Sequence, residues 1–156
     1  MADKKILIVD DEEGMRHMLS IILRKEGYET TSVSGGNEAL RAIENDEYDF
    51  ILCDIRMPDM DGLTLLGELK KRGCSSTIIM MSAYGTIDTA IEAMKMGAYD
   101  YISKPFKSDE IILTIRKAEE RERLRRENIL LKREVEGRYK FSNIIAKSKK
   151  MLEVFE

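Results

Sequence analysis

Apolar residues along the chain follow two alternating patterns, that of buried strands and that of amphipathic helices. Five short runs rich in aliphatic or β-branched residues predict strands at Lys5–Val9, Tyr28–Val33, Phe50–Cys53, Thr77–Met81 and Tyr99–Ile102. Between them, apolar residues recur three or four positions apart, which is the spacing of a helix face. Strands that alternate with helices predict an α/β domain with a parallel sheet covered by helices on both faces.

Glycine and turn-forming residues set the predicted helix boundaries. The first helix carries a methionine-containing apolar stripe that we expect in the core, and Gly27 is predicted to end it. Further helices are predicted from about Gly35, from Gly62 to Lys71 and from Ile87 to Met96. Ser108 is predicted to cap a last helix, which we expect to continue through Val135 and to end at Gly137.

This last helix is longer than packing on the sheet requires. Leu124 and Leu131 are seven residues apart, as are Asn128 and Val135, so the segment contains two heptads with Asn128 at a core position. A buried asparagine sets the register of parallel coiled coils, which favours a homodimer joined by this helix. The alternative is a solvated helix stabilised by ion pairs between neighbouring turns.

Composition narrows the classes of function. The net charge of −3 over 156 residues argues against a chain that coats nucleic acid. No stretch reaches the about 18 apolar residues of a membrane span. The two cysteines, Cys53 and Cys74, lack metal-ligand spacing and are expected to be reduced thiols of a cytoplasmic protein.

Polar residues that can bind a ligand or take part in a reaction lie where the predicted strands end. Asp10 and Asp11 follow the first strand, Asp54 the third, Ser82 the fourth and Lys104 the fifth. Ligands of open α/β sheets bind outside the carboxyl ends of strands, and where the first and third strands are neighbours these acids share one pocket. Crowded carboxylates repel one another unless a cation enters or a proton is held. The cluster therefore predicts a site for Mg²⁺, which prefers a few carboxylates and open water positions.

The same arrangement suits phosphoryl transfer. A divalent cation, the ammonium group of Lys104 and the hydroxyl of Ser82 could together stabilise the equatorial oxygens of a phosphoryl group attached to Asp54.

Four segments, in order along the chain, resemble the receiver domains of response regulators in two-component signalling. They are ILIVDDE at Ile6–Glu12, DIRMPDMDG at Asp54–Gly62, MSAYG at Met81–Gly85 and KPF at Lys104–Phe106. The resemblance covers roughly residues 4–120. It implies a flavodoxin-like, doubly wound, five-stranded parallel sheet of order 2-1-3-4-5, here with an extended C-terminal linker helix, and a cis bond between Lys104 and Pro105.

The resemblance also implies the ligands of the metal. Asp11 and Asp54 would bind Mg²⁺ directly, together with the backbone carbonyl of Arg56, while Asp10 would act largely through water.

For the chemistry, the resemblance implies that Asp54 accepts a phosphoryl group from the phosphohistidine of a sensor histidine kinase. Ser82 and Lys104 would contact the phosphoryl oxygens, and the chain would catalyse at most its own slow dephosphorylation. Movement of Ser82 toward the phosphoryl group would let Tyr101, the switch aromatic, turn inward. Dimerisation would then change through the face formed by the fourth helix, the fifth strand and the fifth helix.

Three regions follow from these observations: a receiver domain at 1–120, its last helix continuing as a coiled-coil linker at 108–136, and a further segment at 137–156. The last segment, with FSNII at Phe141–Ile145, resembles the start of the AAA+ ATPase domain of sigma-54-dependent, NtrC-type transcription activators. We expect the chain to end inside that domain, and this fragment neither to hydrolyse ATP nor to bind an operator.

The direction in which phosphorylation would control the ATPase stays open between two alternatives. Either the unphosphorylated dimer holds the ATPase domains apart, which the long helix favours, or phosphorylation builds the active assembly.

Two other classes of protein use a similar sheet. A Mg²⁺-dependent phosphohydrolase with an aspartate nucleophile needs an acidic pair two residues apart after the first strand, and Glu12 stands where its second aspartate would be. A flavin or nucleotide carrier needs a loop that binds phosphate, whereas the acids after the first strand would repel phosphate.

Overall fold

The computed structural model describes residues 4–83 and 86–155, with side chains as far as Phe141. Strands and helices alternate along the described chain. The strands are β1 Lys5–Val9, β2 Glu29–Val33, β3 Phe50–Asp54, β4 Thr77–Ser82 and β5 Asp100–Ser103. The helices are α1 Glu13–Lys25, α2 Gly36–Asn45, α3 Gly62–Lys71, α4 Ile87–Lys95 and α5 Ser108–Phe155.

The strands form one parallel sheet in the order β2-β1-β3-β4-β5. This is the predicted doubly wound order, so the fold class is confirmed. β2 and β5 begin one residue later than predicted, and β3 and β4 each end one residue later. The extra residues at the ends of β3 and β4 are Asp54 and Ser82, which places both side chains on the sheet rather than in the loops that follow.

The core has two parts that correspond to the two faces of the sheet. Leu7 and Val9 of β1 belong to one cluster, which also contains residues of α2, α3 and α4. Ile6 and Ile8 belong to the other, which contains residues of α1 and α5. Because successive side chains of a strand point to opposite faces, a strand covered on both sides must be apolar throughout. This explains the continuous apolar runs.

The methionine stripe of α1 was expected in the core, and this is wrong for Met18. Met18 is 38% exposed, whereas Leu19 and Leu23 are buried and Met15 packs on the core. The buried face of α1 is centred on the two leucines, so Met18 falls at its edge.

Among the described helices, none combines the length and the apolar character that crossing a membrane requires.

Helix α5 does not end at Gly137, which corrects the predicted stop. The helix continues to Phe155, and Gly137 does not share the positive φ of Gly27, Gly73 and Gly97. A glycine ends a helix when it adopts the left-handed conformation, and inside a helix it costs only about 1 kcal/mol relative to alanine. The chain divides into two compact units, Met1–Ala118, which contains the sheet, and Glu119–Glu156, which contains the rest of α5. The predicted start of another domain at 137–156 stays a prediction, and most of its side chains lie outside the described part.

The path of α5 gives a first prediction. We expect Gly137→Ala to increase helix content and to stabilise this part of the helix by about 1 kcal/mol, because alanine is the better helix former. Thermal melts followed by far-UV circular dichroism measure the change. Gly27→Ala is the control, since φ of +95° at Gly27 disfavours alanine and predicts a loss of stability. A similar loss for Gly137→Ala would show that the helix ends there.

Candidate functional site

Three carboxylates meet where β1 and β3 end. Asp10 follows β1, Asp54 is the last residue of β3, and the two strands are neighbours in the sheet. One carboxylate oxygen from each of Asp10, Asp11 and Asp54 lies within 4.8 Å of the other two. Asp10 and Asp54 are buried and Asp11 is exposed, so the cluster opens toward solvent on one side. The structure thus brings the predicted metal ligands of β1 and β3 together.

Lys104 reaches this cluster from the end of β5. Its Nζ donates a hydrogen bond to Asp10 Oδ2 at 2.8 Å and lies 3.5 Å from Asp54 Oδ1. Only 7% of the Lys104 side chain is exposed, so the pair is shielded from water. The Lys104 backbone N–H donates to Ser82 O at 2.9 Å, which fixes the start of the Lys104 side chain beside β4. The bond between Lys104 and Pro105 is cis, as the resemblance implies.

The electrostatics of the cluster favour entry of a cation. Burial, together with the charges of Asp10 and Asp11, raises the pKa of Asp54 to about 6, although Lys104 opposes the shift. For Lys104, burial acts to lower the pKa, but hydrogen bonds and charges from Asp10 and Asp54 raise it above its usual value. The ammonium group of Lys104 therefore contacts two of the three clustered carboxylates, Asp10 and Asp54. This oxygen donor set fits Mg²⁺, which would be held by Asp11 and Asp54, with Asp10 close by.

The loop between β3 and α3 borders the opening of the site. Asp11, Arg56, Met57, Pro58 and Asp61 line a shallow cavity at this point. Met57 is buried and belongs to the core cluster on one face of the sheet. The metal-binding role of the Arg56 backbone carbonyl stays a prediction.

Ser82 and Tyr101 lie on the adjacent strands β4 and β5. Ser82 is buried at the end of β4, next to Ser103 of β5. The Tyr101 hydroxyl is also buried and has no hydrogen-bond partner among the described residues. A buried hydroxyl without a partner costs about 1–3 kcal/mol. The structure thus holds Tyr101 with its hydroxyl inside, the position that the resemblance implies after phosphorylation. The turn itself stays a prediction, and Tyr84 and Gly85 of the third motif lie outside the described residues.

The roles of two residues that support the loop, Asp61 and Gly62, were not predicted from the sequence. Asp61 caps α3 by accepting a hydrogen bond from Thr64 N at 2.7 Å. Gly62 N donates to Ile55 O at 2.6 Å and closes the loop. A Cβ on Gly62 would lie 2.3 Å from Asp54 O and 2.7 Å from Ile55 Cα. An aspartate before an apolar helical pattern is a capping signal that could have identified Asp61, whereas the close approach at Gly62 has no local signal.

This close approach predicts that Gly62→Ala is destabilising. The new methyl group would meet backbone atoms, which cannot move away as a side chain can, so we expect a loss of about 1–3 kcal/mol in the free energy of unfolding. Urea denaturation measures it. Gly14→Ala in α1 is the matched control, because nothing lies within 4 Å of its new Cβ. Equal unfolding free energies for the two variants would contradict the close approach.

Known proteins are similar to this chain in both sequence and fold. The sequence model described as "Response regulator receiver domain" matches residues 6–116. Regulatory protein AtoC of Escherichia coli (strain K12) is 35% identical over 153 residues, which is 98% of this chain and 33% of AtoC. A putative NtrX-like response regulator of Rickettsia bellii is 41% identical over 132 residues, 83% of this chain and 28% of the relative. The chain thus spans about a third of the length of these curated relatives.

Solved structures agree with these relatives. NtrX from Brucella abortus, in complex with ADP, is 40% identical with a TM-score of 0.75, over 81% of this chain and 29% of NtrX. The chemotaxis protein CheY4 of Vibrio cholerae is 28% identical with a TM-score of 0.72, over 75% of this chain and 99% of CheY4. The similarity to AtoC and NtrX confirms the predicted relationship to regulators of the NtrC type. The chain belongs to the response regulator receiver domain family.

Proposed function

We propose that this chain is the phosphorylation-controlled part of a transcription activator, and that Asp54 accepts a phosphoryl group from a sensor histidine kinase. The observation that carries the proposal is the cluster at the strand ends. Asp54 lies 3.5 Å from the Lys104 ammonium and within 4.8 Å of ligand atoms of Asp10 and Asp11. Receiver domains of response regulators are phosphoacceptors that bind Mg²⁺ at an acidic pocket, which agrees with this arrangement.

In the proposed reaction, a carboxylate oxygen of Asp54 attacks the phosphorus of the kinase phosphohistidine. The O–P bond of an acyl phosphate forms, the N–P bond breaks, and the histidine nitrogen leaves with its electron pair. Bound Mg²⁺ would supply positive charge to the phosphoryl oxygens. Lys104 already faces Asp54 and can pair with one phosphoryl oxygen, and Asp10 holds Lys104 in place through the 2.8 Å hydrogen bond. Ser82 can donate its hydroxyl proton to another of these oxygens.

Intact-mass spectrometry after incubation with Mg²⁺ and acetyl phosphate tests the acceptor. We expect one phosphoryl adduct that hydroxylamine removes, and none in Asp54→Ala or in the isosteric Asp54→Asn. Slow loss of the adduct after removal of acetyl phosphate is expected from self-dephosphorylation. Asp88→Asn, which removes a carboxylate in the first turn of α4, is the matched control and should be labelled like the unmodified protein. Full labelling of both Asp54 variants would refute the assignment.

The proposed output is a change at the face formed by α4, β5 and α5. Phosphorylation adds a charge of about −1.5 to −2 and three acceptor oxygens. Helix α4 buries only Ala93 among its described residues, while Ile87, Ile91 and Met94 are exposed. A helix with so few buried contacts can shift at low cost, and its exposed apolar side chains offer a surface for a second copy. Ser82 and Tyr101 would transmit the change to this face.

The segment of α5 beyond Ala118 is proposed to be the dimer linker. Leu124, Leu131 and Val135 are exposed along the predicted seam. The same helix carries ion pairs between neighbouring turns, such as Arg123 with Glu127 and Arg138 with Glu134, which the solvated alternative also predicts. The exposed leucines favour the coiled coil, because a solvated helix gains nothing from them. A dimer at this position would pass the signal to an AAA+ domain that follows, in keeping with the greater length of AtoC and NtrX.

A comparison of two neighbouring leucines tests the seam. Leu131 is 60% exposed and lies on the seam with Asn128, whereas Leu130 is 63% exposed and lies off it. We expect Leu131→Ala to weaken dimerisation by about tenfold or more, because it removes apolar area buried between the helices. Leu130→Ala should leave the dimer unchanged.

Sedimentation equilibrium of the full chain measures both dissociation constants. Equal effects of the two substitutions would show that the helix does not pair through Leu124, Asn128, Leu131 and Val135.

A further inference from the structure

The loop between β3 and α3 contacts the start of α2 through Asp59. Asn37 Nδ2 donates a hydrogen bond to Asp59 Oδ2 at 3.2 Å. A Cβ on Gly35 would lie 2.8 Å from Asp59 Oδ1 and 3.0 Å from Oδ2. One residue further, a Cβ on Gly36 would lie 2.8 Å from Met60 Sδ. Two consecutive side chains of the loop therefore lie against two consecutive glycines.

Glycine at position 35 is required by this contact and not by the backbone. Its φ is −167°, an extended conformation that any residue adopts. What glycine provides is space, since a methyl group would occupy the position of the Asp59 carboxylate. Gly35 is therefore a specific probe of the contact, because alanine can be introduced without backbone strain.

The charge of Asp59 suits its position. Gly35 is the N-cap of α2 and has no side chain to satisfy the free N–H groups at the helix start. The Asp59 carboxylate lies next to this end, where the helix dipole favours a negative charge. Electrostatic attraction and the hydrogen bond from Asn37 together hold the middle of the loop against α2.

The rest of the loop is fastened at its two ends. Gly62 N bonds Ile55 O at one point, and Asp61 caps α3 close to it. Met57 is anchored in the core. Asp59 joins this loop to α2 through its hydrogen bond with Asn37, and it lies three residues from Arg56. A change at Asp59 is therefore expected to alter the path of the backbone near Arg56.

We propose that Asp59 is a positioning residue: its contact with Gly35 and Asn37 holds the loop so that the Arg56 backbone carbonyl faces the metal position. This rests on the proposed function, in which that carbonyl binds Mg²⁺. Asp59 is not one of the three carboxylates that cluster at the strand ends. It acts through the loop, and α2 thereby becomes part of the support of the site.

The affinity for Mg²⁺ tests this proposal on the full chain. The dissociation constant is obtained from the rise of the thermal unfolding midpoint with Mg²⁺ concentration. We expect Gly35→Ala to weaken Mg²⁺ binding about tenfold, the lower end of the range for groups that orient metal ligands. This substitution leaves every charge in place, so an effect on affinity reports geometry alone. Asp59→Ala should weaken binding at least as much, and adding Gly35→Ala to it should cause no further loss, because the shared contact is already gone.

Ser34→Ala is the matched control. Ser34 Oγ donates to Glu38 Oε1 at 2.9 Å, a hydrogen bond that supports the start of α2 from within the same segment. We expect it to lower the midpoint without Mg²⁺ and to leave the Mg²⁺ dissociation constant unchanged. If Gly35→Ala binds Mg²⁺ like the unmodified protein, or Ser34→Ala weakens binding equally, the positioning role is wrong. If the unmodified protein shows no stabilisation by Mg²⁺, the metal site of the proposed function fails as well, and the two failures are thus distinguished.

Discussion

The buried ion pair between Lys104 and Asp10 is the interaction on which the site depends. It joins the ends of β5 and β1, which are separated in the sheet by β3 and β4. Burying two charges costs free energy that is recovered only with close geometry and further hydrogen bonds. The pair has a 2.8 Å contact, and the Lys104 backbone is fixed by Ser82 O. Because the sheet brings Asp54 to the same point, the ammonium also faces the proposed phosphoacceptor.

This arrangement links stability to function. The raised pKa of Asp54 means that folding disfavours its charged form. The sign follows from proton binding. Between the usual carboxyl pKa and about 6 the folded state binds more protons than the unfolded state, so stability falls as pH rises through this window and stays lower above it. At neutral pH the charge on Asp54 therefore lowers the stability of the fold, while the raised pKa of Lys104 acts in the opposite sense. Added positive charge beside Asp54 would favour its charged form, which agrees with the proposed binding of Mg²⁺.

The sequence predicts the parts of the structure that depend on repetition and leaves out those that depend on single long-range contacts. β1 and β3 were predictable because burial on both faces demands unbroken apolar runs, and the acids that end them are visible directly. Gly137 was misjudged because its φ, and not its identity, decides whether a helix ends. Asp59 gave no signal, since an exposed aspartate in a loop has no periodic pattern and its partners lie on another element. The burial of the Tyr101 hydroxyl depends on packing that no local pattern encodes.

The helices differ in how many residues they bury, and this difference supports the proposal that α4 is the helix that moves. α1 and α3 each contribute at least two fully buried leucines to the core, so moving either would expose a large apolar area. α4 contributes one buried residue, Ala93, whose side chain is a single methyl group. Tyr101 packs on the core cluster that includes Ala93, and its buried hydroxyl has no described partner. Burying a hydroxyl without a hydrogen-bond partner costs free energy, and a rearrangement that supplies such a partner would recover it. Of the three helices compared, α4 has the fewest fully buried residues, and it shares its core cluster with Tyr101, which supports the proposed output at this face.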